Sequence, residues 1–329
     1  MGDNYLLKVE DLTVDYKVYG GYLKVLDGVN FYVKHNERVG IIGETGCGKT
    51  TTMKSILRLQ ANNAIFRKGK ITVGDQDILK MNDKNFHAFR KKGLAMIFQE
   101  PMIALNPVFT IGQQIEDVIY HASDTKLSKA ELKQKAREVI ASVSLPDADR
   151  ILSNYPFQLS GGMRQRICIA LAISMAQKLL IADEPTTALD VTIQAQILEL
   201  IDQISKQKKM SLILITHSLG LTRNTTDRMY VMYAGSMIES CSTKQLYENP
   251  LHPYTIGLLK SIPRLTGGEF SNGIPGRLPD YMNPQPGCRF QNRCTKVMDI
   301  CRRQKPSEIE VEPEHYVACF LFDQKGDKQ

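Results

Sequence analysis

The stretch GETGCGKT, Gly43 to Thr50, restricts what this 329-residue chain can fold into more than any other segment. It fits the pattern G-x-x-x-x-G-K-S/T, and its flanks suit it. RVGII (38–42) before it reads as a short buried strand, and Met53, Ile56, Leu57 and Leu59 after it read as the apolar stripe of a helix. A loop between a strand end and a helix N-terminus can turn its backbone N–H groups inward around phosphate oxygens. The positive end of the helix dipole adds to that attraction. Lys49 at this spacing would reach β- and γ-phosphates, the Thr50 hydroxyl would ligate Mg²⁺, and Cys47 reads as a small filler of the loop.

Other segments place chemistry at strand ends. KLLIADEP (178–185) is an apolar strand ending in two carboxylates. Asp183 can hold Mg²⁺ through water, and Glu184 beside it is placed to polarise an attacking water. In SLILITHS, His217 follows another buried strand, where it can hold a γ-phosphate and the attacking water. Gln99, in MIFQEP, ends a further strand, from which its amide could reach the metal or the water. LSGGMRQR (159–166) precedes the apolar helix ICIALAISMA, so Ser160, Gly161 and Gly162 would form a second anion-binding helix N-terminus. One nucleotide does not need two such sites far apart in sequence. The second is therefore read as binding a nucleotide held by another subunit.

These segments sit in an alternating pattern. Residues 8–40 read as strands with a turn at Gly20-Gly21, and residues 112–157 read as helical, with SKAE (Ser128 to Glu131) a capping box. KLLIAD and SLILIT flank VTIQAQILELIDQISK, whose Ile193, Ile197, Ile201 and Ile204 share one face. This is an α/β sheet core interrupted by a helical insertion. After about residue 240 proline becomes frequent, which predicts a small, irregular C-terminal domain. The net charge of +7 is spread without a run of five basic residues, so it reads as a solvated face with mild attraction to an acidic membrane surface. The first residues lack the pattern of a signal peptide, and Leu6 stands where N-myristoylation wants Ser or Thr. ICIALAISMA is about half the length that spans a bilayer. A cytoplasmic location is expected, where metal binding is a better default for grouped cysteines than disulfides.

Taken together, these motifs resemble the ATP-binding cassette (ABC) ATPase family over about residues 6 to 240. The resemblance implies a nucleotide-binding domain at 1–240 with a P-loop core sheet, an antiparallel β subdomain and a helical subdomain at about 100–165. It makes Gly43, Glu44, Thr45, Gly46, Cys47, Gly48, Lys49, Thr50 and Thr51 the Walker A loop and its nucleotide contacts. Gln99 becomes the Q-loop, Leu159–Gly162 the signature, Asp183 and Glu184 the Walker B pair, Ala188-Leu189-Asp190 the D-loop and His217 the switch histidine. ATP and Mg²⁺ are the implied ligands. Lys49, Gln99, Glu184 and His217 would serve catalysis, and Thr50, Gln99 and Asp183 would surround Mg²⁺. An adenine-stacking aromatic is expected in the first sheet. Tyr16 fits best, with Tyr19 as the alternative because KVYGGYLKV blurs the register. Met163 departs from the general signature LSGGQ.

A narrower resemblance is to the D-type ATPase of the dipeptide/oligopeptide importers. It is carried by QEPMIALNPVFTIGQQI, LSGGMRQR, DEPTTALDVTIQAQIL and NPLHPYTIGLLKSIP, and by a C-terminal domain at 241–329. Nickel importers and some sugar importers share these features. The resemblance implies ATP hydrolysis that powers di- or oligopeptide uptake, with nickel or oligosaccharide as alternative cargo. It also implies an F-type ATPase subunit as partner, two transmembrane permease subunits, an extracytoplasmic solute-binding protein, a peripheral place on the cytoplasmic face of the membrane, and no nucleic acid. The apolar EPMIALNP after Gln99 reads as a docking surface for a membrane subunit. A soluble ABC ATPase acting on DNA or ribosomes is the competing reading. The long coiled coils, zinc modules or second cassette of such proteins are not in this sequence.

Four of the seven cysteines collect late, as C-x5-C-x6-C-x17-C: Cys288, Cys294, Cys301 and Cys319. The gaps are wider than the tight pairs of zinc knuckles, and four thiolates match the needs of a 4Fe-4S cluster. The D-type resemblance implies such a cluster at these four positions. Zinc stays as the alternative, and His315 nearby is read as structural. The expected role is a staple for a Pro-rich domain with little core of its own.

Overall fold

A computed structural model describes residues 5–91, 93–100, 104–123, 125–175, 178–187, 189–216, 219–261 and 273–323. Its strands, in chain order, are β1 (Tyr5–Val18), β2 (Gly21–Lys34), β3 (Arg38–Ile42), β4 (Ala64–Val73), β5 (Gln76–Asp77) and β6 (Leu94–Ile97). Then follow β7 (Leu179–Asp183), β8 (Ser211–Ile215), β9 (Arg228–Tyr233), β10 (Ser236–Ser242), β11 (Ile309–Glu312) and β12 (His315–Val317). The chain forms two compact units: Met1–Lys34 with Val39–Leu79 and His217–Gln329, and His35–Arg38 with Lys80–Thr216.

In the first unit an antiparallel sheet runs β2-β1-β4-β5. Its buried face changes phase along β1, from Leu7 and Val9 to Leu12 and Val14. The pairing register shifts between those pairs, and Asp11 takes φ 49° there, as at a bulge. The loop at Gly20 carries Tyr19 fully into solvent. The second sheet of this unit runs β11-β12-β10-β9-β3. β3 lies parallel to β9, from Val39 opposite Arg228 to Ile42 opposite Val231, and Val39 through Ile42 are buried, as parallel strands covered on both faces require. The helix Lys49–Ile56 follows β3. It is shorter than the sequence pattern suggests. Met53, Ile56 and Leu57 are buried, but Arg58 takes φ 51° just after the helix, so Leu59 lies beyond it and is exposed.

The C-terminal residues of this unit are irregular, as expected, yet they do not lack a core. Tyr254, at the start of the helix Pro253–Lys260, and Phe290 pack on Tyr233 of β9, with ring centroids 4.7 and 5.1 Å away. Both belong to one apolar cluster with Met229, Val231 and Ile238. The staple that the sequence called for is thus supplied by aromatic packing onto β9 and β10.

The second unit holds the parallel strands β6-β7-β8, with Leu94 opposite Leu179 and Leu179 opposite Ser211. Its helices are Asp83–Lys91, Ile111–Ala122, Lys129–Ser142, Ala148–Ser153, Gly161–Met175 and Val191–Gln207, and the second to fourth of these account for the predicted helical stretch. The Ser128 box forms as read. Glu131 N–H donates to Ser128 Oγ at 3.3 Å, and Ser128 N–H donates to Glu131 Oε2 at 2.7 Å. Among the described residues no helix is long and apolar enough to cross a membrane.

Candidate functional site

The loop after β3 has a backbone that only glycine permits at two points. A Cβ on Gly43 would fall 2.2 Å from the Met232 carbonyl oxygen. Gly48 has φ 109° and caps the helix Lys49–Ile56, and a Cβ there would meet Leu26 Cδ2 at 2.8 Å. Lys49 is buried. Its Nζ donates to the carbonyls of Gly43 at 2.8 Å and Glu44 at 3.1 Å. Cys47 is fully buried and its thiol is pushed up by burial, so it is the inert filler expected of it. Thr45 and Gly46 are exposed, and Thr50 and Thr51 are half-buried. Tyr16 on β1 is tied to this loop: its hydroxyl bonds Gln60 Oε1, and Gln60 Nε2 donates to the Thr51 carbonyl at 2.6 Å.

Three residues that touch the loop come from far along the chain. Glu44 N–H donates to Tyr254 Oη at 2.9 Å, Tyr281 Oη donates to the Gly46 carbonyl at 2.8 Å, and Arg293 pairs with both Glu44 carboxylate oxygens at 2.8 and 2.9 Å.

In the second unit β7 ends at Asp183, which is buried, and Glu184 follows in the left-handed region at φ 47°. A bulky residue held there is strained, and such strain is found where a side chain must be aimed. The Glu184 N–H donates to the Ile215 carbonyl of β8 at 2.9 Å, which fixes the turn. Gln99, just past β6, donates its Nε2 to Glu184 Oε2 at 2.9 Å, and Thr187 Oγ1 donates to the same oxygen at 3.3 Å. The adjacent ends of β6 and β7 thus bring Gln99 and Glu184 together. His217 and Ala188 lie outside the described residues, as do Pro101, Met102 and Ile103 of the apolar patch after Gln99.

The signature turn is built on packing and caps. Ser160 Oγ accepts the Met163 N–H at 3.3 Å at the head of the helix Gly161–Met175. Gly162 sits where a Cβ would press on Ile193 Cγ2 at 3.3 Å, and one on Gly161 would lie 3.8 Å from Leu189 Cδ2. Asp190 caps the helix Val191–Gln207, with its Oδ1 accepting the Ile193 N–H at 3.0 Å.

Residues 26–187 match the ABC transporter family, and residues 238–301 match the oligopeptide/dipeptide transporter C-terminal region. The chain is 43% identical to the oligopeptide transport ATP-binding protein AppD of Bacillus subtilis, over 98% of this chain and 99% of that one. The chain belongs to the ATP-binding proteins of oligopeptide/dipeptide ABC transporters. The dipeptide transport ATP-binding protein DppD of Bacillus subtilis is 42% identical over 98% of this chain and 96% of its own length. A dimeric ATP-binding cassette solved in a post-hydrolysis state with ADP and Pi superposes with a TM-score of 0.64 at 25% identity, over 72% of this chain and 98% of that one. The fold is that of an ABC ATPase, and ATP with Mg²⁺ are its ligands. Thr50 in the first unit and Asp183 in the second each offer a hard oxygen donor of the kind that Mg²⁺ takes.

The cluster expected at the four cysteines of this ABC ATPase is corrected. The families and relatives that span the chain are described as ATP-binding transport proteins, and none of these descriptions names an iron–sulfur group. Cys288, Cys294, Cys301 and Cys319 line one small pocket together with Phe290, Phe320 and Leu321. Burial pushes the Cys288 and Cys319 thiols up to about 11, and Cys288 and Cys294 pack against the aromatic cluster. Nor do these sulfurs make the compact set that zinc needs. Among the described residues, the donor group whose ligand atoms lie within 4.8 Å of one another is Glu239, Cys241 and His315.

That group is a hydrogen-bonded joint. Glu239 Oε1 accepts from His315 Nε2 and from the Leu251 N–H, each at 2.8 Å, and Oε2 accepts the His252 N–H at 2.8 Å. Burial alone would raise this carboxyl. The bonds from His315 and the two N–H groups outweigh burial and hold it below its ordinary value. His252 is itself buried, and its Nδ1 accepts the Tyr254 N–H at 3.0 Å, capping the helix Pro253–Lys260. Burial pushes its pKa from 6.5 down to about 4. The unfolded chain therefore binds this proton first. Stability should fall by up to about 1.4 kcal/mol per pH unit as pH drops below the unfolded value. Urea unfolding of the full chain at pH 7 and pH 5 measures it, and His252→Asn, which can still cap, should flatten the profile in that window.

Proposed function

We propose that this chain is the ATP-hydrolysing subunit of a di- or oligopeptide importer, with its nucleotide site on Gly43–Thr51. The observation that carries the reading is the near full-length likeness to relatives named for oligopeptide and dipeptide transport. Lys49, whose ammonium already rests on two loop carbonyls, holds the β- and γ-phosphates, and backbone N–H groups of Gly48 to Thr51 surround them. Tyr16, linked through Gln60 to Thr51, stacks on adenine, in preference to the solvent-exposed Tyr19. Thr50, Gln99 and Asp183 take Mg²⁺, which would polarise the γ-phosphate. Glu184, aimed by Gln99 and Thr187, orients and deprotonates water. His217 steadies the γ-phosphate by the family pattern. Ser160, Gly161 and Gly162, with Asp190, complete the site of a second ATP-binding subunit.

That second subunit is an F-type ATPase. The pair works beneath two transmembrane permease subunits supplied by a solute-binding protein, so the chain is peripheral on the cytoplasmic face of the membrane. In this reading residues 1–240 form the nucleotide-binding domain and 241–329 the C-terminal one. The test is uptake of a radiolabelled tripeptide by cells deleted for this subunit. Restored uptake with the chain, and none with Lys49→Ala, is expected. Equal uptake by both, or uptake of nickel in place of peptide, would reject the assignment.

A further inference from the structure

We propose that Arg293, carried by the C-terminal region, is a positioning residue for the phosphate loop. It acts through Glu44 on the carbonyls that hold the Lys49 ammonium. The proposal rests on the reading of Gly43–Thr51 as the nucleotide site.

Arg293 spends every donor it has. Nε donates to the Pro275 carbonyl at 2.9 Å, Nη1 to Glu44 Oε2 at 2.8 Å and Tyr233 Oη at 3.4 Å, and Nη2 to Glu44 Oε1 and the Ile274 carbonyl, each at 2.9 Å. Its side chain is only 5% exposed. A guanidinium with all five N–H groups satisfied, two of them in a fork on one carboxylate, has one low-energy placement. That placement passes to the loop because Glu44 is gripped at three points. Its carboxylate lies on Arg293, its N–H on Tyr254 Oη, and its carbonyl receives Lys49 Nζ. Tyr281 on the Gly46 carbonyl holds the exposed tip of the same loop.

An exposed glycine-rich loop has many conformations, and ordering it costs free energy when the phosphates bind. The fork and the two tyrosines settle that order beforehand. The cost of losing the fork therefore falls on ATP binding, while Glu184 and Gln99 are left as they were. Lysine cannot substitute, since a point ammonium cannot span two carboxylate oxygens and two carbonyls together.

The test measures the KM for ATP and kcat in the assembled transporter for Arg293→Lys, Glu44→Gln and the double variant, with Lys305→Ala as control. Lys305 lies in the same region but pairs with Asp27, at 2.8 Å, and not with the loop. Each single variant should raise KM about tenfold with kcat within about twofold, and the double should match a single, because both cut one interaction. Lys305→Ala should leave KM unchanged. A KM within about twofold of the parent in folded Arg293→Lys, or a multiplied effect in the double, would overturn the proposal. If Arg293→Lys does not fold, Glu44→Gln alone decides, with an unchanged KM again overturning it. Failure of the underlying reading looks different: Lys49→Ala would then bind Mg·ATP as tightly as the parent.

Discussion

Glu184→Gln should leave Mg·ATP binding near the parent value and cut phosphate release by about 10²–10⁴-fold, the usual worth of a positioned general base. The amide keeps an oxygen for Gln99 and Thr187, which now donate to Glu184 Oε2, so the turn and its left-handed φ of 47° need not change. Only basicity is lost. The measurement is steady-state ATP hydrolysis in the assembled complex, with the second ATP-binding subunit of the proposed function inactivated as well, so that only this chain's turnover is read. Turnover at the parent rate would remove Glu184 from the chemistry. A loss of nucleotide binding would mean that the side chain serves the ground state.

The second large effect concerns stability. Glu239→Ala removes the acceptor of His315 and of the Leu251 and His252 N–H groups together, all inside the protein. Breaking such a joint by deleting one partner costs roughly 3–5 kcal/mol, because the remaining polar groups stay buried without an acceptor. Glu239→Gln keeps one carbonyl oxygen and should cost distinctly less. Urea midpoints of the full-length variants separate the two. Equal small losses would show that water or a local shift replaces the carboxylate.

What the sequence disclosed was local. The glycine-rich loop Gly43–Thr50, the Ser128 box and the strand ends at Asp183 and Gln99 are each written within about a dozen residues, where pattern and backbone need coincide. The alternation of strands and helices fixed the fold class for the same reason. The pairing of Gln99 with Glu184 was implied only as far as both sit at strand ends, because neighbouring order in a sheet is not local. Leu59 was assigned to the helix on its apolar character, and the left-handed Arg58 that ends the turn had no sequence mark. The C-terminal region was least legible. Phe290 and Arg293 reach β9 and the loop from irregular segments without periodicity, and Tyr254 from the first turn of the short helix Pro253–Lys260. Cysteine spacing cannot distinguish a metal-ligating thiolate from a thiol packed beside an aromatic ring, and that is where the expected cluster went astray.

Tyr233 of β9 packs against Tyr254 and Phe290, and its hydroxyl accepts a hydrogen bond from Arg293. A strand that pairs with β3, from which the Gly43–Thr50 loop springs, is therefore also a wall of the C-terminal core. One matched family ends at residue 187 and the other begins at residue 238, and the contacts of Glu44 with Arg293 and Tyr254 join one matched region to the other. Chimaeras that graft this C-terminal region onto another cassette must carry Glu44, Tyr233 and Glu239 across with it. Without them the transplanted arginine, aromatic rings and histidine would arrive with nothing to hold.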